Sequence, residues 1–226
     1  MRIIYSKYGI DLYLVENKIT TIVIENPLVM SEVIRDISRQ TNGEDGEWIL
    51  SDPDKIFSLE KSGIFLDNPL MVNSNEKRIL TRLYKELSEQ ANTFMYEECT
   101  QINSYIVSFL ERLLDTVPYH LDMEVDMDLT GILKLYGVKI ESDGVSVLEA
   151  LIDYLRALSC ICNIHVVFIL NVKQFLTIEE IQQLYEFCFY EKIYIINLEG
   201  QKNYNLEQEK CVIIDKDLCI IDVSSN

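Results

Sequence analysis

Residues 165–198, HVVFILNVKQFLTIEEIQQLYEFCFYEKIYIINL, decide the fold. His165 to Leu170 is a short, unbroken apolar run rich in β-branched residues, the pattern of a parallel strand covered on both faces. Thr177 followed three residues later by Glu180 is a capping-box signature, and it predicts a helix running to about Tyr190. Ile193 to Leu198 is a second buried-strand run. Strand, helix and strand in that order predict a right-handed crossover in a parallel sheet, and so an α/β architecture.

Outward from this unit the pattern recurs. Val145 to Cys162 reads as a helix before the first strand, and Cys211 to Ile214 and Leu218 to Val223 read as two terminal strands. At the other end of the chain, Arg2 to Tyr5, Ile10 to Val15, Thr20 to Ile24, Trp48 to Leu50 and Ile64 to Leu66 are short runs of β-branched and aromatic residues. Pro27 to Thr41 carries apolar residues at helical spacing, with Pro27 suited to a first turn and Asn42-Gly43 to the stop. The middle differs. No Gly or Pro occurs from Asn75 to Val117, where Leu80, Leu83, Leu87, Ala91 and Phe94 form one stripe and Ile102, Ile106, Phe109, Leu110 and Leu113 another. As one helix this would extend ~65 Å, at 1.5 Å per residue, with a bend expected near Ala91-Asn92-Thr93. Pro118 ends it, and Leu129 to Tyr136 is a further helical piece. The expected organisation is an α/β head made from residues 1–70 and 144–226, with a mostly helical domain, 71–143, inserted into it.

Of the 226 residues, 20 are Lys or Arg and 37 Asp or Glu, a net charge of −17, which by itself argues against nucleic-acid binding. A hydrophobic share of 48% with 25% charged residues is that of a globular chain. No uncharged apolar run approaches the roughly 18 residues of a membrane span, so no membrane association is expected. MRIIYSKYGID lacks an h-region, and the six cysteines lack CxxC spacing. These features predict a cytoplasmic protein with reduced core thiols.

Neither GxxxxGK[ST] nor GxGxxG occurs, so the α/β head carries no phosphate-binding motif. The two histidines lie apart: His165 opens a strand, and His120 has no nucleophile at a recognisable motif beside it. Cys160 and Cys162, two apart on a helix, diverge. No catalytic constellation is legible. The distinctive segment is LDMEVDMDL, 121–129, with Asp122, Glu124, Asp126 and Asp128 alternating with apolar residues. If extended, it puts four carboxylates on one face. That face is either a solvated surface or an all-oxygen site suited to Ca²⁺. Lys77, Arg78, Arg82 and Lys85 make the one basic window. Arg78, Arg82 and Lys85 share a helical face that is either solvated and ion-paired or a phosphate contact; Lys134 and Lys139 are isolated further candidates.

Four stretches carry a family resemblance: TTIVIENPLVMSEVIRDI (20–37), HLDMEVDMDLTGILKLYGVKIES (120–142), the 165–199 strand–helix–strand, and KCVIIDKDLCIIDV (210–223). Together they resemble the short, ring-forming accessory protein of type II-A CRISPR systems, required for spacer acquisition. The resemblance implies a head related to P-loop ATPases without their nucleotide motif, and a projecting helical domain. It further implies a homotetrameric ring around the ends of linear double-stranded DNA, held by Ca²⁺, with no catalytic activity. Carried over, Asp122, Glu124, Asp126 and Asp128 are the expected Ca²⁺ ligands. Arg78, Arg82, Lys85, Lys134 and Lys139 are candidates for the DNA-facing surface. The implied partners are the spacer integrase complex and the RNA-guided effector nuclease. A ring would concentrate the negative charge of four chains, and bound divalent ions would lower that repulsion. Two other classes fit the residues alone: a metal-dependent nuclease or phosphohydrolase using the acidic run, and an acidic protein-interaction scaffold.

Overall fold

A computed structural model describes residues 1–141 and 146–223. In chain order the elements are β1 (Arg2–Tyr5), β2 (Ile10–Tyr13), β3 (Ile19–Ile24), α1 (Pro27–Thr41), β4 (Trp48–Asp52), β5 (Lys55–Phe57), α2 (Leu59–Ser62) and β6 (Gly63–Leu66). There follow α3 (Lys77–Phe94), α4 (Tyr96–Leu114), α5 (Leu129–Leu135), α6 (Val147–Cys162), β7 (Val166–Leu170), α7 (Ile178–Tyr190), β8 (Tyr194–Glu199), β9 (Glu209–Ile214) and β10 (Ile220–Asp222). The chain divides into two compact units, Met1–Ser74 with Ser142–Asn226, and Asn75–Glu141. The first runs on to Ser74 because the Pro69–Met71 turn packs on α6. The expected junction at 143/144 and the expected helix start at Val145 lie outside the described residues.

The first unit is mixed α/β. Its larger sheet has the order β10-β9-β3-β8-β7-β6, parallel except for β10. β3, β7 and β8 are almost wholly buried, as continuous apolar runs require when helices cover both faces. The Thr177–Glu180 capping box opens α7, and a second box, Ser146–Glu149, opens α6. A smaller antiparallel sheet, β2-β1-β4-β5, is built on the β1–β2 hairpin, whose turn needs the positive φ of Gly9 (67°). α1 presents Val29, Val33 and Ile37 to the core between the sheets. There Tyr5 stacks on Trp48 at 4.7 Å, and Trp48 meets Phe168 edge-on at 5.6 Å. Pairs of this kind add about 0.5–1.5 kcal/mol beyond their area.

The second unit is helical, and the bend expected near Ala91-Asn92-Thr93 is a break two residues further on. α3 and α4 are separate, broken at Met95 (φ −127°, ψ 26°). Without Gly or Pro the break is local: the Met95 N–H still donates to Ala91 O, and the Cys99 N–H to Met95 O. α3 and α5 pack together, tied by Tyr84 OH donating to Val138 O at 2.7 Å. The Asn75 amide also pairs with both backbone groups of Ile140, at 2.8 and 2.9 Å.

The expectation of core thiols holds for Cys188 and Cys211 alone. Cys99 and Cys162 are half-buried, Cys160 and Cys219 exposed, and no disulfide joins any of them. Burial raises the Cys188 thiol well above its ordinary range, so it stays protonated and inert. Among the described residues no helix is long and apolar enough to cross a membrane.

Candidate metal and nucleic-acid sites

The acidic run is not a strand. Residues 121–128 form an irregular connection between α4 and α5, since no neighbouring strand offers the ladder that the alternating pattern would need. The alternation survives in part. Met123 and Met127 are half-buried while Asp122, Glu124, Asp126 and Asp128 face solvent, but the apolar Val125 is 55% exposed as well. Local bonds fix the path: the Asp122 carboxylate accepts from the Met123 N–H at 2.9 Å, and Asn103 donates to Val125 O at 2.8 Å. Asp128 occupies the N-cap position of α5 with its carboxylate folded over Gly131, where a Cβ would lie 2.7 Å from Oδ2.

Among the described residues no three His, Cys, Asp or Glu side chains converge as metal ligands. The four carboxylates are spread along the connection, and as they stand in one chain they do not form the six- to eight-oxygen cage that Ca²⁺ takes. Their chemistry suits a hard cation; their arrangement does not. Nor does any described cation stand within ion-pair distance of them, so their mutual repulsion is relieved by solvent.

The five basic candidates all belong to the second unit. Arg78, Arg82 and Lys85 lie on α3 at i, i+4 and i+7; Arg78 is half-buried and the other two exposed. Lys134 lies in the last turn of α5, Lys139 just beyond it, and both are exposed. Lys85 stands 3.7 Å from Glu89, an exposed i,i+4 pair of the kind worth a few tenths of a kcal/mol. No carboxylate lies within ion-pair distance of Arg82, Lys134 or Lys139 among the described residues.

α4 carries apolar residues on its solvent side as well as on the side turned inward. The apolar stripe read from its spacing is mostly exposed: Ile102, Ile106, Phe109 and Leu113 are 39–56% accessible, and Leu110 alone of that set is half-buried. The side turned inward is instead Cys99, Asn103, Val107, Leu110 and Leu114, and no residue of the helix is fully buried. An unsheltered apolar stripe of this length is characteristic of an interaction surface.

In the first unit, the strand-to-helix junction where a phosphate loop would lie is closed. β3 ends at Ile24 and α1 begins at Pro27, leaving only Glu25 and Asn26. Asn26 Oδ1 accepts from the Leu28 and Val29 N–H groups, so the helix uses its own donors as an N-cap. The eight-residue loop of a P-loop has no counterpart there.

A buried polar cluster escaped the sequence reading. Lys173, Glu209, Tyr185, Asn197 and Glu199 sit in the first unit, with Lys173 Nζ 2.7 Å from Glu209 Oε2 and both side chains at most 1% exposed. Tyr185 OH donates to Glu209 Oε1 and accepts from Asn197 Nδ2, each at 2.7 Å. The available signal was Asn197 and Glu199 interrupting a strand run otherwise apolar on both faces. His165, half-buried, has Nε2 3.3 Å from Asn163 Oδ1 and belongs to no such cluster.

Comparison with known proteins agrees with the resemblance read from the residues. The family described as CRISPR-associated protein (Cas_Csn2) matches residues 40–218. The CRISPR-associated protein Csn2 of Streptococcus agalactiae is 22% identical over 219 residues, 94% of each chain. Among solved structures, a chain described as an ABC-transporter ATP-binding protein of Pyrococcus furiosus is similar at 9% identity and a TM-score of 0.40, with 90% of this chain and 88% of that one covered. An ATP-binding cassette in a post-hydrolysis state with ADP and Pi gives 10% identity and 0.40, with 91% and 84% covered. With most of its length matched by the family, this chain belongs to the Csn2 family of CRISPR-associated proteins.

Proposed function

We propose that this protein is a non-enzymatic, calcium-dependent ring of four chains that holds the ends of linear double-stranded DNA during CRISPR spacer acquisition. The observation that carries the reading is α4: nineteen residues with none buried and Ile102, Ile106, Phe109 and Leu113 open to solvent, a face that self-association would cover. Exposed Arg82, Lys134 and Lys139 on the same unit, without carboxylate partners among the described residues, are free to meet phosphates. Contacts of this kind are independent of sequence and weaken steeply with salt. The self-capped start of α1 supports the absence of nucleotide hydrolysis.

The calcium requirement rests on the resemblance and on the donor chemistry of Asp122, Glu124, Asp126 and Asp128. Within one chain their placement forms no cage, and no binding geometry is assigned to them. The spacer integrase complex and the RNA-guided effector nuclease are the proposed protein partners. Purified protein mixed with linear duplex in Ca²⁺ or Mg²⁺ tests the whole: retention without cleavage supports it. Cleavage would favour the metal-dependent nuclease, and no retention the acidic scaffold.

A further inference from the structure

α4 carries a heptad seam. Cys99, Ile102, Ile106, Phe109 and Leu113 follow one another at steps of three, four, three and four residues, the a and d spacing of helices that pair along their length. Cys99 is half-buried and the other four are open to solvent. Each a position, Cys99, Ile106 and Leu113, is preceded by an exposed flank residue: Glu98, Tyr105 and Arg112. Arg112 donates to the carbonyl of Ser108 at 3.2 Å, and neither Glu98 nor Arg112 has an ion pair among the described residues. They stand ~21 Å apart along the helix, at 1.5 Å per residue, and cannot meet within one chain.

We propose that α4 pairs antiparallel with α4 of a second copy, about a two-fold axis at the level of Ser104, with Glu98 of each chain facing Arg112 of the other. This rests on the self-association proposed above and adds its direction and register. A two-fold contact must be self-complementary, and both the seam and its flank are. With Ile102 stacked on Ile106 of the partner subunit, Cys99 lies opposite Phe109 of the partner subunit, a small side chain against a large one. Leu113 then reaches Met95 of the partner subunit, just ahead of its helix. The same register sets Glu98 against Arg112 of the partner subunit. Symmetry gives that pair twice, with Tyr105 meeting its own copy between them. Sliding one helix by a heptad in either direction leaves both charges without an ionic partner. A parallel pair does no better, since it puts Glu98 beside Asn103 of the partner subunit and Arg112 beside Val117 of the partner subunit. Flank charges of this kind set partner choice and orientation more than stability, and here they select one arrangement.

The test is the mass of the full chain in Ca²⁺, by light scattering across a concentration series, for Glu98→Arg, for Arg112→Glu and for their equimolar mixture. Each single variant opposes like charges at two places, so the dissociation constant of the helix pair should rise by about tenfold or more and the assembly should shrink. In the mixture every flank contact again sets one acid against one base, and the mass should return to that of the unaltered protein. The matched charges lie on different chains, so recovery cannot arise within one. Single variants of unaltered mass, or a mixture no larger than its components, would overturn the pairing. Phe109→Asp separates that failure from failure of the reading beneath it. If it still dissociates the assembly, α4 is an interface of another direction or register and the pairing falls alone; if the unaltered protein is a monomer, both fall.

Discussion

Replacing Lys173 with Met removes the ammonium that faces Glu209 while keeping most of the side chain's volume. The pair is 2.7 Å apart, with side chains 1% and 0% exposed, so water cannot take over the lost role without the site opening. The Glu209 carboxylate would keep only the Tyr185 hydroxyl as a described side-chain donor. Breaking a buried pair by removing one partner costs about 3–5 kcal/mol, because a charge is left buried and uncompensated. At about 2–4 °C per kcal/mol for a unit of this size, Tm should fall by roughly 6–20 °C. Trp48 is the single tryptophan of the chain and is buried against Tyr5, so its fluorescence in a urea titration follows unfolding of the first unit. Adding Glu209→Gln to Lys173→Met removes the stranded charge and keeps an acceptor for Tyr185, and should recover at least half of the loss. A single-variant cost below about 1 kcal/mol would refute the reasoning. So would a double variant as unstable as the sum of its parts.

Three further outcomes are expected. Because Glu199 holds its proton more tightly folded (about 7) than at its ordinary 4.5, the folded chain binds more protons, and stability falls as pH rises through that window; urea unfolding should show a slope of up to about 1.4 kcal/mol per unit that vanishes in Glu199→Gln. Phe109→Asp, on the exposed stripe of α4, should reduce oligomer size by light scattering while leaving the monomer's helical circular dichroism unchanged; an unaltered oligomer would remove this face from the assembly. Ca²⁺ should raise Tm by mass action and Asp126→Ala should diminish the gain; Tm and oligomer size indifferent to EDTA would remove the calcium requirement.

The head was legible because its signals are local. The runs at 166–170 and 194–198 carry burial on both faces, and the Thr177–Glu180 box spans a single turn. β5 was not foreseen, since Lys55–Phe57 is short and mostly exposed and pairs only through β4. The break at Met95 was legible to within two residues, from Ala91-Asn92-Thr93, although no Gly or Pro marks its exact place. The acidic run shows the limit of periodicity: alternation predicts a strand only where a partner strand exists, and between α4 and α5 there is none. The Lys173–Glu209 pair joins residues 36 apart, so neither neighbourhood reveals the other. The spacing marked the stripe on α4 as apolar but not its burial, because apolar periodicity does not distinguish a face buried within the chain from one open to solvent. The assignment of the acidic run to calcium and of the basic residues to DNA is what the family resemblance implies, and the spacing alone left each beside a solvated-surface alternative.

The central claim, a ring that admits DNA from an end, is tested most directly by comparing one duplex sequence in linear and covalently closed forms, in Ca²⁺, by equilibrium binding. A closed ring can be threaded only from a free end, so the linear form should be retained uncleaved and the closed circle should not. Binding of the linear form should also weaken with monovalent salt at a slope near −0.9 per phosphate neutralised. Equal affinity for the two forms would contradict the account.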